Sequence, residues 1–149
     1  MAMSDYTTTM PNRDYQLTVT VRPEYQPAES SPEEGRWVFA YHVRIENSGR
    51  VPAQVIARHW MIDDANGNRI EVQGLGVVGY QPLLEPGGHF EYTSGTPLAT
   101  PTGTMQGSLF CVAVDGARFE APIAPFTLDA AQEAPDMATA FVPANHTVH

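Results

Sequence analysis

The residues Gly74-Leu75-Gly76-Val77-Val78-Gly79 spell a GxGxxG pattern. Glycines at that spacing can cradle a pyrophosphate, because the bare backbone lets N–H groups approach it. The chemistry also needs a strand leading in and a helix N-terminus leading out, since first-turn amides and the helix dipole hold the anion. Here Pro82 and Pro86-Gly87-Gly88 stand where that helix would run, so a dinucleotide-binding fold is not expected. Two readings stay open: an anion-binding loop, or a glycine loop shaped for packing. Arg58, a guanidinium within an apolar strand beside Trp60, fits either the bridging of buried carbonyls or contact with an anion or acidic peptide through its planar donors. Tyr80 follows the loop as an exposed recognition residue, whereas Phe90 and Tyr92 read as core aromatics. The candidate ligand- or partner-binding residues are therefore Arg58, Gly74, Gly76, Gly79 and Tyr80.

The remaining chemistry-bearing residues form no catalytic or metal-ligating set. His42 and His59 sit within strands, His89 opens one, and His146 and His149 lie near the end of the sequence, a distribution without compact zinc spacing. His59 reads as a hydrogen-bonded structural histidine. Asp63 and Asp64 precede Ala65-Asn66-Gly67-Asn68 and read as turn-capping carboxylates rather than hard-metal ligands. No serine lies in a nucleophile elbow. Cys111, the single cysteine, lies in an apolar strand and reads as a buried structural thiol. The expectation is a protein that is not an enzyme and uses no cofactor or metal of its own.

Short antiparallel segments must position these residues. Tyr15, Leu17, Val19 and Val21 alternate with polar residues, the pattern of a half-buried strand; Trp37, Phe39, Tyr41, Val43 and Ile45 share one face, and Val38, Ala40, His42 and Arg44 the other, of what reads as the longest strand. Pro23 to Gly35 reads as a loop. Val55–Ile62 and Arg69–Gln73 flank Asn66-Gly67 as a hairpin. Strands follow at His89–Thr93 and Thr104–Val114, with Thr96 to Gly103 a connection. Arg118–Ala121 and Phe126–Leu128 are closing pieces interrupted by Pro122 and Pro125, which places them at an edge. Seven or so strands with Gly/Pro turns predict an all-β fold, a sandwich of two antiparallel sheets. The domain spans 15–128, between a flexible segment 1–14 and a mostly flexible tail 129–149. A net charge of −9 over 149 residues opposes direct nucleic-acid binding. No stretch approaches the roughly 20 apolar residues of a membrane span, and the start Met1-Ala2-Met3-Ser4-Asp5 is unlike a signal peptide. A cytoplasmic protein is expected.

Arg58-His59-Trp60, Asp64 to Gly67, the glycine pattern, Gln81 to Gly87, Phe90 to Gly95, Pro97-Leu98, Thr100 to Gly107 and Pro125-Phe126 occur in an order that resembles the ApaG family over roughly Tyr15 to Leu128. The resemblance implies a sandwich like the fibronectin type III and immunoglobulin folds, and a link to cobalt and magnesium homeostasis. Related eukaryotic domains in F-box proteins and a DNA polymerase delta-interacting protein look like interaction modules. The family's glycine motif maps onto Gly74, Gly76 and Gly79, for which nucleotide or pyrophosphate binding has been suggested. Ser108 stands where family members often carry a bulkier aromatic. The leading functional expectation is a non-catalytic binding or adaptor domain with a protein partner. The alternative is a phosphate, pyrophosphate or nucleotide sensor working with a divalent metal.

Overall fold

A computed structural model describes residues 13–132. Segment 1–12 and the tail beyond 132, with His146 and His149, lie outside the described residues. The alternating segments form eight strands: β1 (Leu17–Tyr25), β2 (Trp37–Asn47), β3 (Ala53–Asp64), β4 (Arg69–Leu75), β5 (Leu83–Leu84), β6 (His89–Leu98), β7 (Thr102–Ala113) and β8 (Arg118–Asp129). Two antiparallel sheets result, one ordered β1-β2-β6 and the other β4-β3-β7-β8, with β5 also paired to β3. The all-β sandwich read from the sequence is the observed architecture.

Each sheet contributes one apolar face to a common core, because period-2 side chains on paired strands must be covered together. Tyr41, Val43 and Ile45 of β2 meet Val55, Trp60 and Ile62 of β3, Leu109 and Cys111 of β7, and Leu128 of β8. Trp60 stands edge-on to Tyr41 at 5.3 Å and to Phe126 at 6.2 Å between ring centroids. Removing one such aliphatic side chain from water contributes roughly 1.5–3 kcal/mol. Trp60 is therefore the hub on which the strand carrying Arg58 and His59 is seated.

The Asn-Gly hairpin joins β3 to β4 through Ala65-Asn66-Gly67, with the Asp64 N–H on the Asn68 carbonyl and Gly67 in the left-handed region at φ 87°. Several boundaries differ from the sequence reading, and edge position explains most of them. β1 continues through Pro23 to Tyr25, β6 continues through Pro97 to Leu98, and β8 runs unbroken through Pro122 and Pro125. All three strands lie at sheet edges, where one side of the backbone needs no partner and proline is tolerated. A register shift opposite Met105 to Gly107 absorbs the irregularity in β8. The longest strands are β3, β7 and β8 at 12 residues each, not β2 at 11. The segment after β1 folds back on β2: Gln26 N–H donates to the Val38 carbonyl, and Val38 N–H donates to Ser30 Oγ.

Candidate functional site

β4 and β5 pair with the same strand, β3, in succession, so the chain between Leu75 and Leu83 must leave the ladder and return to it. A register shift at Ile56 presents the carbonyl that receives this detour: Gly76 N–H donates to Ile56 O at 2.7 Å, and Gln81 Nε2 donates to it at 3.0 Å. Val77 and Tyr80 exchange reciprocal backbone hydrogen bonds of 2.8 and 2.9 Å. The loop turns through left-handed residues Gly76 (φ 68°), Val78 (φ 43°) and Gly79 (φ 87°). For a β-branched residue such as Val78 that conformation costs on the order of 1–2 kcal/mol. The fully buried Val77 side chain offsets that cost. No helix follows: Pro82 leads directly into β5.

Arg58 lies beneath this loop. Its neighbour in register is Gly74, and the guanidinium occupies the space a side chain there would fill. Nη1 donates to the carbonyls of Leu75 at 3.0 Å and Gly76 at 3.1 Å. Arg58 forms no ion pair among the described residues. Its charge acts on Tyr41 and Tyr92, but burial is the larger effect and holds both phenols above their ordinary pKa. Arg58 Nε and Tyr92 OH are buried without a hydrogen-bond partner among the described residues, beside the buried Ser94 hydroxyl that faces Tyr41.

Of the residues singled out in the sequence, Arg58, Gly74 and Gly76 are thus brought together. Gly79 sits at the exposed loop tip, and Tyr80, 52% exposed, rests its ring on Phe90 at 5.6 Å. Phe90 in turn packs on the buried Tyr92 at 6.1 Å. The amides of Gly76, Val77 and Tyr80 are committed to carbonyls of the fold, and Arg58 is turned to loop carbonyls. The arrangement is that of a braced packing loop, and it lends no geometric support to a cradle of amides facing an anion.

The opposite face of the same strands carries an open groove of about 430 Å³, whose lining includes His59, Gln73, Leu75, Ser108, Phe110 and Glu120. Register explains the grouping: Leu75, Ala57, Phe110 and Glu120 form one cross-strand row, and Gln73, His59 and Ser108 the next. His59 is held on this face by Glu71, with Nε2 2.8 Å from Oε1, while the adjacent Trp60 points into the core. Ser108, small where an aromatic was the family expectation, leaves the groove floor open. Sequence reasoning did not single out Glu71, Gln73, Leu75, Phe110 or Glu120. Their only signal was outward alternation, which identifies a face but not its neighbours.

The other candidates have structural partners. Asp64 accepts from the N–H groups of Asn66 and Asn68 at 2.9 and 3.0 Å, and the Asn68 backbone N–H is the main cause of its lowered pKa. Asp63 instead grips Arg69 through Nε at 2.7 Å and Nη2 at 3.0 Å, which lowers its pKa. His42 is buried between Thr93 Oγ1 at 2.8 Å and Glu24 Oε1 at 2.9 Å; His89 is exposed. Burial pushes the Cys111 thiol up to about 12. Among the described residues no three His, Cys, Asp or Glu side chains gather to hold a metal ion, and no helix is long and apolar enough to cross a membrane.

Comparison with known proteins gives a consistent result. Residues 27–113 match the family model described as the ApaG domain. The chain is 56% identical over 114 residues to Protein ApaG of Ralstonia nicotianae, covering 76% of this chain and 92% of that protein. It is 58% identical over 118 residues to Protein ApaG of Bordetella pertussis, covering 79% and 90%. The crystal structure of a Bordetella pertussis protein designated ApaA superposes with a TM-score of 0.79 at 56% identity, covering 82% of this chain and 99% of that one. A second X-ray structure, the structural-genomics target SoR45, superposes with a TM-score of 0.72 at 40% identity, covering 88% and 96%.

Proposed function

The chain belongs to the ApaG family, and we propose that it acts as a non-catalytic binding domain whose glycine loop and adjoining edge of the five-stranded sheet receive a protein partner. One observation carries this reading. Of the five large apolar residues exposed among the described residues, four lie between positions 70 and 83: Ile70 (57%), Leu75 (74%), Tyr80 (52%) and Leu83 (53%). Exposed apolar side chains gathered on one edge strand and the loop that follows it are costly in water and mark interaction sites. The bracing by Arg58 and Val77 makes the surface rigid before binding, which lowers the entropy cost of association. Aromatic Tyr80 and aliphatic Leu75 are the anchors, with the groove containing His59 and Glu120 as the polar rim. A role in cobalt and magnesium homeostasis would be exercised through that partner, in the cytoplasm.

Affinity capture tests the reading. The unaltered protein should retain a discrete partner from the lysate of its own source, and the double variant Leu75→Ser, Tyr80→Ala should lose it while keeping its melting temperature within a few degrees. Equal capture by both proteins would move the binding surface elsewhere. In parallel, titration with pyrophosphate and Mg²⁺ should leave the amide shifts of Gly74 to Tyr80 unmoved up to roughly millimolar ligand, where binding is worth about 4 kcal/mol. Saturable shifts there would favour anion sensing.

A further inference from the structure

We propose that the partner binds as an extended strand added to the outer edge of β4, with apolar side chains alternating with basic ones. This rests on the reading of that edge as the partner site and specifies the occupant.

The two sheets have edge strands β1, β6, β8 and β4, with β5 continuing the edge beyond the loop. β1 carries Pro23, β6 carries Pro97, and β8 carries Pro122 and Pro125. Proline in an edge strand removes a ladder donor and is one of the ways proteins keep other strands from pairing there. β4, with the sequence Arg-Ile-Glu-Val-Gln-Gly-Leu, has none. Its outward groups follow from its ladder. Asp64 N–H donates to Asn68 O and Gly76 N–H to Ile56 O. Hydrogen-bonded pairs alternate along an antiparallel ladder, so Ile70, Val72 and Gly74 turn their amides toward β3. Glu71 and Gln73 turn both N–H and C=O outward. The Leu75 carbonyl, capped by Arg58 Nη1, ends the available row.

Side-chain chemistry sets the occupant. On the core-facing side an added strand would lie beside Ile70, 57% exposed, and Val72, which call for apolar residues. On the groove side it would lie beside Gln73 and Glu71, whose carboxylate also holds His59 through one oxygen, with exposed Glu120 across the groove. Of the nearby cations, Arg69 is held by Asp63, and Arg58, which also lines the groove, is turned to the carbonyls of Leu75 and Gly76. Basic residues are complementary there, and the net charge of −9 attracts a basic segment and repels a second copy of the chain.

The test uses the intact protein and a synthetic nine-residue peptide of alternating valine and lysine, against a matched valine and glutamate peptide. The lysine peptide should shift the ¹⁵N amides of Glu71 and Gln73 saturably and protect them from hydrogen exchange. Gln73→Pro deletes an outward donor without touching the β3 ladder and should weaken binding at least about tenfold. Glu71→Lys should reverse the preference between the two peptides, which keeps the test valid if the proline variant folds poorly. No saturable shift up to millimolar peptide, or binding indifferent to both substitutions, overturns the strand-addition proposal. A dimer in sedimentation that Gln73→Pro dissolves assigns the edge to a second copy and likewise overturns it. Capture of a partner that depends on Leu75 and Tyr80 but not on Gln73 would leave the functional reading standing and remove only this mode of binding.

Discussion

The guanidinium of Arg58 lies across the bare Cα of Gly74, with Nη1 2.9 Å from the point where a side-chain Cβ would begin. This contact lets a cation on the core-facing side of β3 reach past the edge strand and hold the carbonyls of Leu75 and Gly76. The first glycine of the GxGxxG pattern is therefore needed by an arginine.

Gly74→Ala should act mainly by displacing Arg58, because the side chain can move and the backbone cannot. Losing two charge-assisted hydrogen bonds is expected to cost about 1–3 kcal/mol. Arg58→Met should cost a similar amount, and the double variant should cost much less than the sum of the two, since both substitutions remove one interaction. Urea denaturation of the four proteins measures the coupling. Additive losses would mean that the two residues act separately.

Gly107 has a different constraint. A Cβ there would fall on the carbonyl oxygen of His59, and both residues belong to central strands of the larger sheet. Neither backbone can yield without parting β3 from β7, so Gly107→Ala should lose more than about 3 kcal/mol. Gly116, at φ 93° in a turn with open space around it, should lose only about 1 kcal/mol on the same substitution. Comparison of urea midpoints checks the order, and equal losses would contradict the close approach of the strands.

The β3–β4 hairpin should weaken in acid. Asp63 and Asp64 both have pKa values below the ordinary 3.8, one through Arg69 and the other through the Asn68 amide. A depressed carboxyl contributes stability that is present above its unfolded pKa and is lost as pH falls through the folded value. The hairpin contacts should therefore be intact above about pH 4 and fade below it. The amide shifts of Asn66 and Asn68, followed from pH 6 to 2, should titrate with midpoints below 3.8. In Asp64→Asn the low-pH step at those two amides should vanish.

Much of the fold was legible because its signals are local. Alternation in β2 and Asn66-Gly67 in the hairpin need no knowledge of what lies across the sheet. The carbonyl-bridging alternative for Arg58 could also be written down from its place beside Trp60, as could the exposure of Tyr80. The courses of β1, β6 and β8 through their prolines were not legible, since whether proline ends a strand depends on whether that strand has a second neighbour. The groove was hidden for a related reason. His59, Ser108 and Gln73 become neighbours only when three strands take their register, and the shift at Ile56 that helps set the loop leaves no mark in composition.

The most direct measurement is site-specific photo-crosslinking in the living cell, with a photoreactive amino acid placed at position 75 in one strain and at position 114 in another. Leu75 and Val114 are both strongly exposed, at 74% and 61%, but only Leu75 lies on the proposed surface. Discrete heavier adducts from position 75, absent from position 114, are the predicted result. Adducts of equal yield from both positions, or none from position 75 at native expression, would contradict a partner surface at the β4 edge.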